Sequence, residues 1–479
     1  MASEPRLAGR LRYHFSGVAG AGMNPLAQLM RARGHTVQGS DRSFERGKNG
    51  DLEARLRRLG IELKPQDGSA VTPAIDRFVY TTAVEVDTPE MLAARALGLE
   101  QVPRPRLLAE VLSGATPGVA IAGTAGKSTI CGMVAWLVRQ AGLPATVLGG
   151  SALVGEGSAG CFVAGPAVGP VVAEACESDG SLVGYRAAIG LIHNVSRDHG
   201  ELGVMRRQFA TFAANCGRLL VNARCPEAAG LGREFKATSY GASPTADVPL
   251  VVVGVGPDRA CGVLHAPGGD LRIDVPQPGF HNLENAAAAA LVAIELGMLP
   301  GAVTTLLSRF PGVARRFEVV GTTDSGIRVV DDYAHNGEKL RAAIATAQAG
   351  SPRLVVVFQP HGFGPARFLR PELRELLPRV LRPQDRFCYA EIFYAGGTVA
   401  KDISSLELAQ DLPPGLRCGY APDHQGVRQW ILREARPGDT VLIMGARDPD
   451  LPNLARTVLD ALRAEPAAAL TNERHVSSR

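Results

Sequence analysis

Lysine is scarce in this sequence: only six of its 51 basic residues are Lys, and the rest are Arg. The eight cysteines (131, 161, 176, 216, 225, 261, 388 and 418) include no C-x-x-C pair. Zinc-site spacing is therefore absent, and a disulfide framework is not expected in a chain this long. No apolar run approaches the roughly 18 residues that a membrane span requires. The N-terminal stretch has no hydrophobic signal core, so a cytoplasmic protein with no membrane partner is expected. There is no lysine-rich block and no basic stripe interleaved with aromatics, and the formal net charge is only +4. Nucleic acid is thus not an expected partner. What is present is 46% hydrophobic and 20% charged residues over 479 positions, a globular chain with ample core. That length allows roughly two to four domains; nothing in the pattern specifies an oligomeric state.

Against the scarcity of lysine, Lys127 stands out. It sits in Gly123-Thr124-Ala125-Gly126-Lys127-Ser128-Thr129, after the apolar run Pro117 to Ala122, which reads as a buried strand. A helical pattern follows from Ile130 to Gly142, with Met133, Val134, Leu137 and Val138 on one face. Strand, glycine turn and helix in this order hold a phosphate: backbone N–H groups face the anion and Lys127 adds a point charge. Ser128 or Thr129 can supply a hydroxyl to Mg²⁺. The full P-loop spacing would place a glycine six residues before the lysine, where Ile121 stands. An ordinary strand-to-helix turn is the competing reading. In so arginine-biased a chain, however, a lysine here reads as chemically required.

Taken in order, the chain alternates strands and helices. Arg12 to Ser16 leads into Gly17-Val18-Ala19-Gly20-Ala21-Gly22-Met23, a helix from Pro25 to Arg33, and Thr36 to Asp41. This opens a doubly wound α/β, Rossmann-like domain. Its glycines run G-x-x-G-x-G, the reverse of the dinucleotide fingerprint, with Pro25 in the last glycine's place. A dehydrogenase is therefore disfavoured. Strand Phe78 to Thr82 and a helix near Pro89 to Ala96 follow, and the small-residue linker Gly114-Ala115-Thr116-Pro117 closes the first domain. In the central, P-loop ATPase-type domain, Pro170 to Asp179 reads as a buried strand ending in three carboxylates. Further strands are expected at Ala187 to Ile192 and Leu219 to Asn222, with short strands over 247–275 and an alanine-rich helix from Gly279 to Leu296. A third, again Rossmann-like, domain begins near Arg315. Its strands are Ile327 to Val330, Leu354 to Phe358, Arg386 to Ala390 and Thr440 to Met444, with helices near 337–348, 370–381, 424–435 and 452–463. The expected domains are 1–115, 116–314 and 315–479.

Acidic groups at the C-terminal end of a strand sit where α/β sheets bind ligands. Glu174 is the expected carboxylate partner for Mg²⁺ on a bound nucleotide. His199 either joins it or hydrogen-bonds nearby, since Mg²⁺ prefers oxygen. His281, Asn282 and Asn285 lie at helix-start spacing and serve either as caps or as amides that read a purine edge. Asp331-Asp332-Tyr333-Ala334-His335-Asn336 follows a strand, so it is either a second ligand site or a solvated turn.

Jointly and in order, these motifs resemble the Mur ligases from Tyr13 to about Leu462. Arg315-Arg316-Phe317, Phe358-Gln359-Pro360-His361 and Met444-Gly445-Ala446 complete the set. The resemblance implies three domains that hold, in turn, a UDP-sugar, ATP and the incoming amine. It implies an ATP-dependent amide ligase that joins an amino acid, L-alanine in the leading reading, to the carboxylate of UDP-N-acetylmuramate in peptidoglycan precursor synthesis. The acceptor in a second reading is a preformed peptide; a third reading is an inactive nucleotide-binding paralogue. Lys127, Glu174, His199 and Asp332 would be catalytic, with Ser128, Glu174 and His199 on Mg²⁺. ATP would meet Gly123, Thr124, Ala125, Gly126, Lys127, Ser128, Thr129, Asn282, Asn285, Arg316 and Asp332. The UDP-sugar and acceptor would meet Gly20, Gly22, Met23, Ser40, Asp41, His335, His361 and Arg367.

The chain departs from the alanine-adding members near the acceptor. They have arginines where Gly362 and Pro365 stand, which leaves Arg367 as the nearest substitute, and His-Pro where Asn336-Gly337 stand. Some members use a carbamylated lysine for a second metal. After His199 this chain offers Arg206 and Arg207, and its next lysine is Lys236.

Overall fold

The computed structural model describes residues 9–81, 84–156, 160–177, 179–196, 201–266, 268–394 and 400–464. Asp198 and His199 lie outside the described residues. Among the described residues three sheets carry the fold. The first is β1 (Arg12–Ser16), β2 (Thr36–Ser40), β3 (Glu62–Lys64), β4 (Arg77–Tyr80) and β5 (Glu100–Pro103). It is parallel throughout, in the order β3-β2-β1-β4-β5.

The second sheet begins with β6 (Gly118–Ala122), β7 (Thr146–Gly149), β8 (Cys161–Val163), β9 (Val171–Glu174) and β10 (Ala187–Ile192). It continues with β11 (Cys216–Asn222), β12 (Thr238–Gly241), β13 (Val248–Val255), β14 (Ala260–Ala266) and β15 (Gly269–Val275). The order is β15-β14-β13-β12-β11-β10-β6-β9-β7-β8. β6 is buried at all five positions, which is why its sequence shows no polar alternation: a central parallel strand is covered on both faces.

The run Ala286 to Ala290 is wholly buried on the helix Phe280–Glu295. Small side chains let this helix lie close against the helix Lys127–Ala141. These two sheets share one compact unit, residues 1–255 and 259–314. A single apolar core runs from Phe15 and Met23 through Leu148 and Tyr185 to Phe209. The expected boundary at 115/116 therefore falls between two sheets that share a core.

Residues 315–479 with Gly256–Asp258 make the second unit. Its sheet is β16 (Glu318–Thr322), β17 (Arg328–Asp332), β18 (Leu354–Gln359), β19 (Arg386–Ala390), β20 (Cys418–Ala421) and β21 (Thr440–Gly445). The order is β16-β17-β21-β18-β19-β20, with only β16 antiparallel to its neighbour.

Three expectations need correction. The strand expected over Pro170 to Asp179 stops at Glu174, and Glu177 lies in the loop beyond it. The helix expected from 370 starts at Phe363 and carries Pro371 and Pro378 in its interior. The first helix starts at Met23, so Pro25 sits within its first turn, where the missing N–H is no loss.

Candidate functional site

The turn after β6 takes its shape from two glycines. Gly123 has φ 150° and Gly126 has φ 86°, backbone that an L side chain rarely adopts. At Gly126 a Cβ would stand 2.5 Å from Asn285 Oδ1 and 2.9 Å from His193 Cδ2. The turn is also tied from outside. Ala125 N donates to Asn194 Oδ1 at 2.8 Å, Asn194 Nδ2 donates back to Ala125 O at 3.2 Å, and Ser196 N donates to Thr124 Oγ1 at 2.9 Å. Asn194 lies two residues beyond β10, the strand paired beside β6.

Lys127 opens the helix and is buried. Its ammonium donates to Gly123 O and, at 2.7 Å, to Glu177 Oε2. Burial alone would lower its pKa, but Glu177, with Cys176 and Glu174 nearby, outweighs that and holds it above the usual lysine value. The charge is thus kept inside the protein. Ser128 Oγ donates to Glu174 Oε1 at 3.0 Å, and Gly150 N donates to Glu174 Oε2 at 3.0 Å. The other Glu177 oxygen, Oε1, is buried without a hydrogen bond. A serine hydroxyl and carboxylates are hard oxygen donors of the kind Mg²⁺ takes, so these residues fit that ion. Among the described residues no cluster of three His, Cys, Asp or Glu could hold a metal by itself. Phosphate oxygens of a nucleotide would have to supply further ligands.

Asn282 and Asn285 are not caps: the N-cap is Gly279, and no side chain caps this helix. Asn282 Nδ2 donates to Pro278 O at 2.8 Å, and Asn285 Nδ2 donates to Asn282 Oδ1 at 3.3 Å. The Asn285 carbonyl is left buried, without a partner, against the glycine turn. His193, on the other side of that turn, shares a hydrogen bond with Tyr240 OH at 2.8 Å. Burial drives its pKa down to about 4, so it stays neutral.

Around β1 and β2, Asp41 organises the first glycine-rich turn. It accepts Ala19 N at 3.0 Å and Ser43 N at 2.9 Å. Gly20 O accepts Met23 N and Asn24 N, which starts the helix, and Gly22 packs against the Arg104 side chain. The Met23 and Ser40 side chains are both buried in the fold.

In the second unit Arg315 (φ 60°) and Phe317 (φ 50°) adopt left-handed backbone that costs each about 1 kcal/mol. Carboxylates hold them there. Asp332 Oδ2 accepts Phe317 N and Asp332 Oδ1 accepts Ala334 N, both at 2.7 Å. Arg315 Nε donates to Asp331 Oδ2 at 3.2 Å. Between the two strained residues, Arg316 lies over the Tyr333 ring, 5.0 Å from its centre. Burial raises Asp331 to about 6 against the pull of Arg315, and it raises Asp332 as well, against Arg316.

His335 Nδ1 bonds Tyr333 O at 2.8 Å while Lys339 Nζ lies 3.4 Å from Nε2, so Nδ1 carries the proton. Its ring meets His361 edge-on at 5.4 Å. His335 and His361 are thus brought together. Arg367 is engaged elsewhere: it pairs with Asp402 at 2.8 Å on an exposed face of the helix Phe363–Val380.

In the sequence Glu177 is only one of the three carboxylates that end the run Pro170 to Asp179, and Asn194 only a residue after the strand Ala187 to Ile192. The carboxylate run after β9 signals Glu177; nothing in the sequence links Asn194 to a turn 69 residues away.

Comparison with known proteins matches three domain families. Residues 12–116 match the Mur ligase family catalytic domain, 121–293 the Mur ligase middle domain, and 315–447 the Mur ligase glutamate ligase domain. UDP-N-acetylmuramate–L-alanine ligase of Kineococcus radiotolerans is 36% identical over 458 residues, 91% of this chain and 93% of its own length. That of Phenylobacterium zucineum is 31% identical, covering 91% of this chain and 92% of its own. The solved structure of UDP-N-acetylmuramate-alanine ligase from Thermotoga maritima superposes with a TM-score of 0.76 at 24% identity, covering 95% of this chain and all (100%) of that one. A murein peptide ligase from Psychrobacter arcticus gives 0.69 at 20% identity, with the same coverage, 95% and 100%. Both share the three-domain α/β fold.

Proposed function

Because this chain belongs to the Mur ligase family, we propose that it joins L-alanine to the carboxylate of UDP-N-acetylmuramate with ATP as the driving force. The observation that carries this is the buried Lys127 ammonium over a glycine turn, beside the Ser128–Glu174 oxygen pair. In this reading residues 1–115 take the UDP-sugar, 116–314 take ATP, and 315–479 take the amine. A lactyl carboxylate oxygen attacks the γ-phosphorus, ADP leaves, and an acyl phosphate forms. The amine nitrogen then attacks the acyl carbon, loses a proton and expels inorganic phosphate. Phosphoryl transfer needs mostly positioning and charge neutralisation. Lys127 supplies one positive charge. Ser128, Glu174 and His199 would hold Mg²⁺, which supplies further neutralising charge when bound. Gly123 to Thr129 cradle the phosphates by backbone N–H groups, and Asn282, Asn285, Arg316 and Asp332 contact the nucleotide. Gly20, Gly22 and Asp41 meet the UDP-sugar, and His335, His361 and Arg367 the acceptor. A cytoplasmic location matches these nucleotide substrates.

A preformed peptide is the second acceptor reading, favoured by Gly362 and Pro365, which offer no cation for a free amino acid's carboxylate. The test is phosphate release with UDP-N-acetylmuramate, ATP and either L-alanine or an alanyl peptide, with product mass as the second readout. Release that depends on L-alanine, with the matching amide product, is expected. No release with either acceptor overturns the ligase reading.

A further inference from the structure

Beneath the first glycine-rich turn lies a buried carboxylate that the reaction scheme does not use. Glu90 lies in the first turn of the helix Pro89–Ala96 and is wholly buried, as are His14, Ser16 and Ser40. Its Oε2 accepts Ser16 Oγ at 2.5 Å, and its Oε1 lies 2.9 Å from His14 Nε2. The Ser40 hydroxyl faces the same carboxylate without a hydrogen bond of good geometry. Gln38 Nε2 donates both to Ala70 O at 2.9 Å and to His14 Nδ1 at 3.0 Å. With Nδ1 accepting, His14 must carry its proton on Nε2 and donate it to Glu90. Burial would raise the Glu90 pKa, but His14 and the hydroxyls outweigh it, so the net shift is downward and the group stays a carboxylate.

A buried carboxylate is costly unless hydrogen-bonded, and an apolar side chain would have filled the same space without that cost. The position of its donors is informative. Ser16 and Ser40 are the last residues of β1 and β2 and lie in register with each other. The turn hangs from that point: Gly17 N and Val18 N both donate to Ser40 O, at 2.9 and 3.0 Å. Asp41, which holds Ala19 N, is the next residue. Anything that fixes the two serines fixes the turn's take-off and the origin of Asp41.

We infer that Glu90 is a positioning residue for the UDP-sugar: by gripping the ends of β1 and β2 through Ser16, His14 and Ser40, it sets the turn Gly17–Met23 and Asp41 in their binding geometry. This rests on the reading that this turn receives the UDP-sugar. The experiment compares Glu90→Ala, Glu90→Gln, Ser16→Ala and Asp41→Ala by calorimetric binding of UDP-N-acetylmuramate and, separately, of ATP. Glu90→Ala should weaken UDP-sugar binding about tenfold, as loss of hydrogen bonds to a buried charge does. It should leave ATP affinity within about twofold, while Glu90→Gln, which keeps the shape and one acceptor, falls between. If Glu90→Ala does not fold, Ser16→Ala keeps the test alive, with a loss of about threefold expected for one hydrogen bond. Asp41→Ala separates the two failures. If it leaves UDP-sugar affinity unchanged, the turn is not the site and both ideas fall. If Asp41→Ala weakens binding while folded Glu90→Ala or Ser16→Ala does not, only the positioning role is overturned. Equal losses for ATP and the UDP-sugar also overturn it, by making Glu90 merely structural.

Discussion

In the turn after β6 the unusual backbone angles fall on Gly123 and Gly126, whereas before β16 they fall on Arg315 and Phe317. The first turn is built without strain, and its charge is a side-chain matter: Lys127 and Glu177 hold each other. The second stretch is the reverse. Its backbone is strained and stays so because Asp332 accepts Phe317 N and Ala334 N, with Asp331 on Arg315. One region is shaped by glycines around a buried ion pair; the other keeps its shape by carboxylates whose protonation is itself shifted by burial. Strain at a site held by surrounding groups is where function is sought.

The largest expected effect breaks the first region. In the proposed reaction Lys127→Ala removes a charge beside the transferring phosphoryl group, and phosphate release should fall by about a thousandfold or more. It also leaves Glu177 buried and unpaired, a loss of about 3 kcal/mol of stability. Lys127→Ala/Glu177→Gln should therefore recover thermal stability and not turnover. Near-normal turnover in either folded variant refutes the role of the lysine. Glu174→Gln comes next. It keeps the shape facing Ser128 and Gly150 but removes a charge, so half-saturating Mg²⁺ should rise about tenfold. An Mg²⁺ titration that superposes on wild type counts against a metal role.

Much of this was readable beforehand because α/β alternation writes itself as apolar runs separated by glycine turns. The turn at Lys127 and the helix Phe280–Glu295 are local patterns of that kind. The helix at Phe363 was not readable from its first residue, since Gly362, Gly364, Pro365 and Pro371 are all breaker signals. Its exposed face tolerates them. The strands β3 and β8, each three residues long, carry no period to detect. Glu177 gained its role only when the loop after β9 brought it back to a lysine 50 residues earlier. Met23 and Ser40 stand in motifs, but which way their side chains face was set by helix and strand register, which turns both inward.

The second region is sharpened by pH. Asp331 titrates near 6 in the folded chain, above the ordinary carboxylate value of about 4 for an unfolded one. The folded state therefore binds the extra proton between those values. Asp331's contribution to stability is fully present below pH 4 and is lost as pH rises through about 6. Unfolding of wild type and Asp331→Asn should be followed from pH 4 to 7. The difference between them should change by about 2 kcal/mol across that window. A difference that does not vary with pH would show that Asp331 is not shifted by its surroundings.

The smallest effect concerns the acceptor. If a free amino acid is the acceptor, its carboxylate needs a cation within the protein, since an unpaired buried charge is costly. Gly362 and Pro365 cannot supply one, and Arg367 is the nearest arginine. Arg367 is already paired with Asp402, but the two side chains are 44% and 52% exposed. Such a pair contributes at most about 1 kcal/mol, so an incoming carboxylate can displace Asp402 at little cost. Arg367→Ala should then raise the KM for L-alanine about threefold and leave that for ATP unchanged, because it removes a contact to the acceptor alone. Asp402→Asn releases the guanidinium and should move the same KM downward. If the acceptor is a peptide, its carboxylate lies farther from the reacting amine, and neither change should move its KM. Rates with L-alanine and an alanyl peptide, in wild type and both variants, decide between them. A preferred peptide together with unmoved constants transfers the acceptor assignment from the amino acid to the peptide.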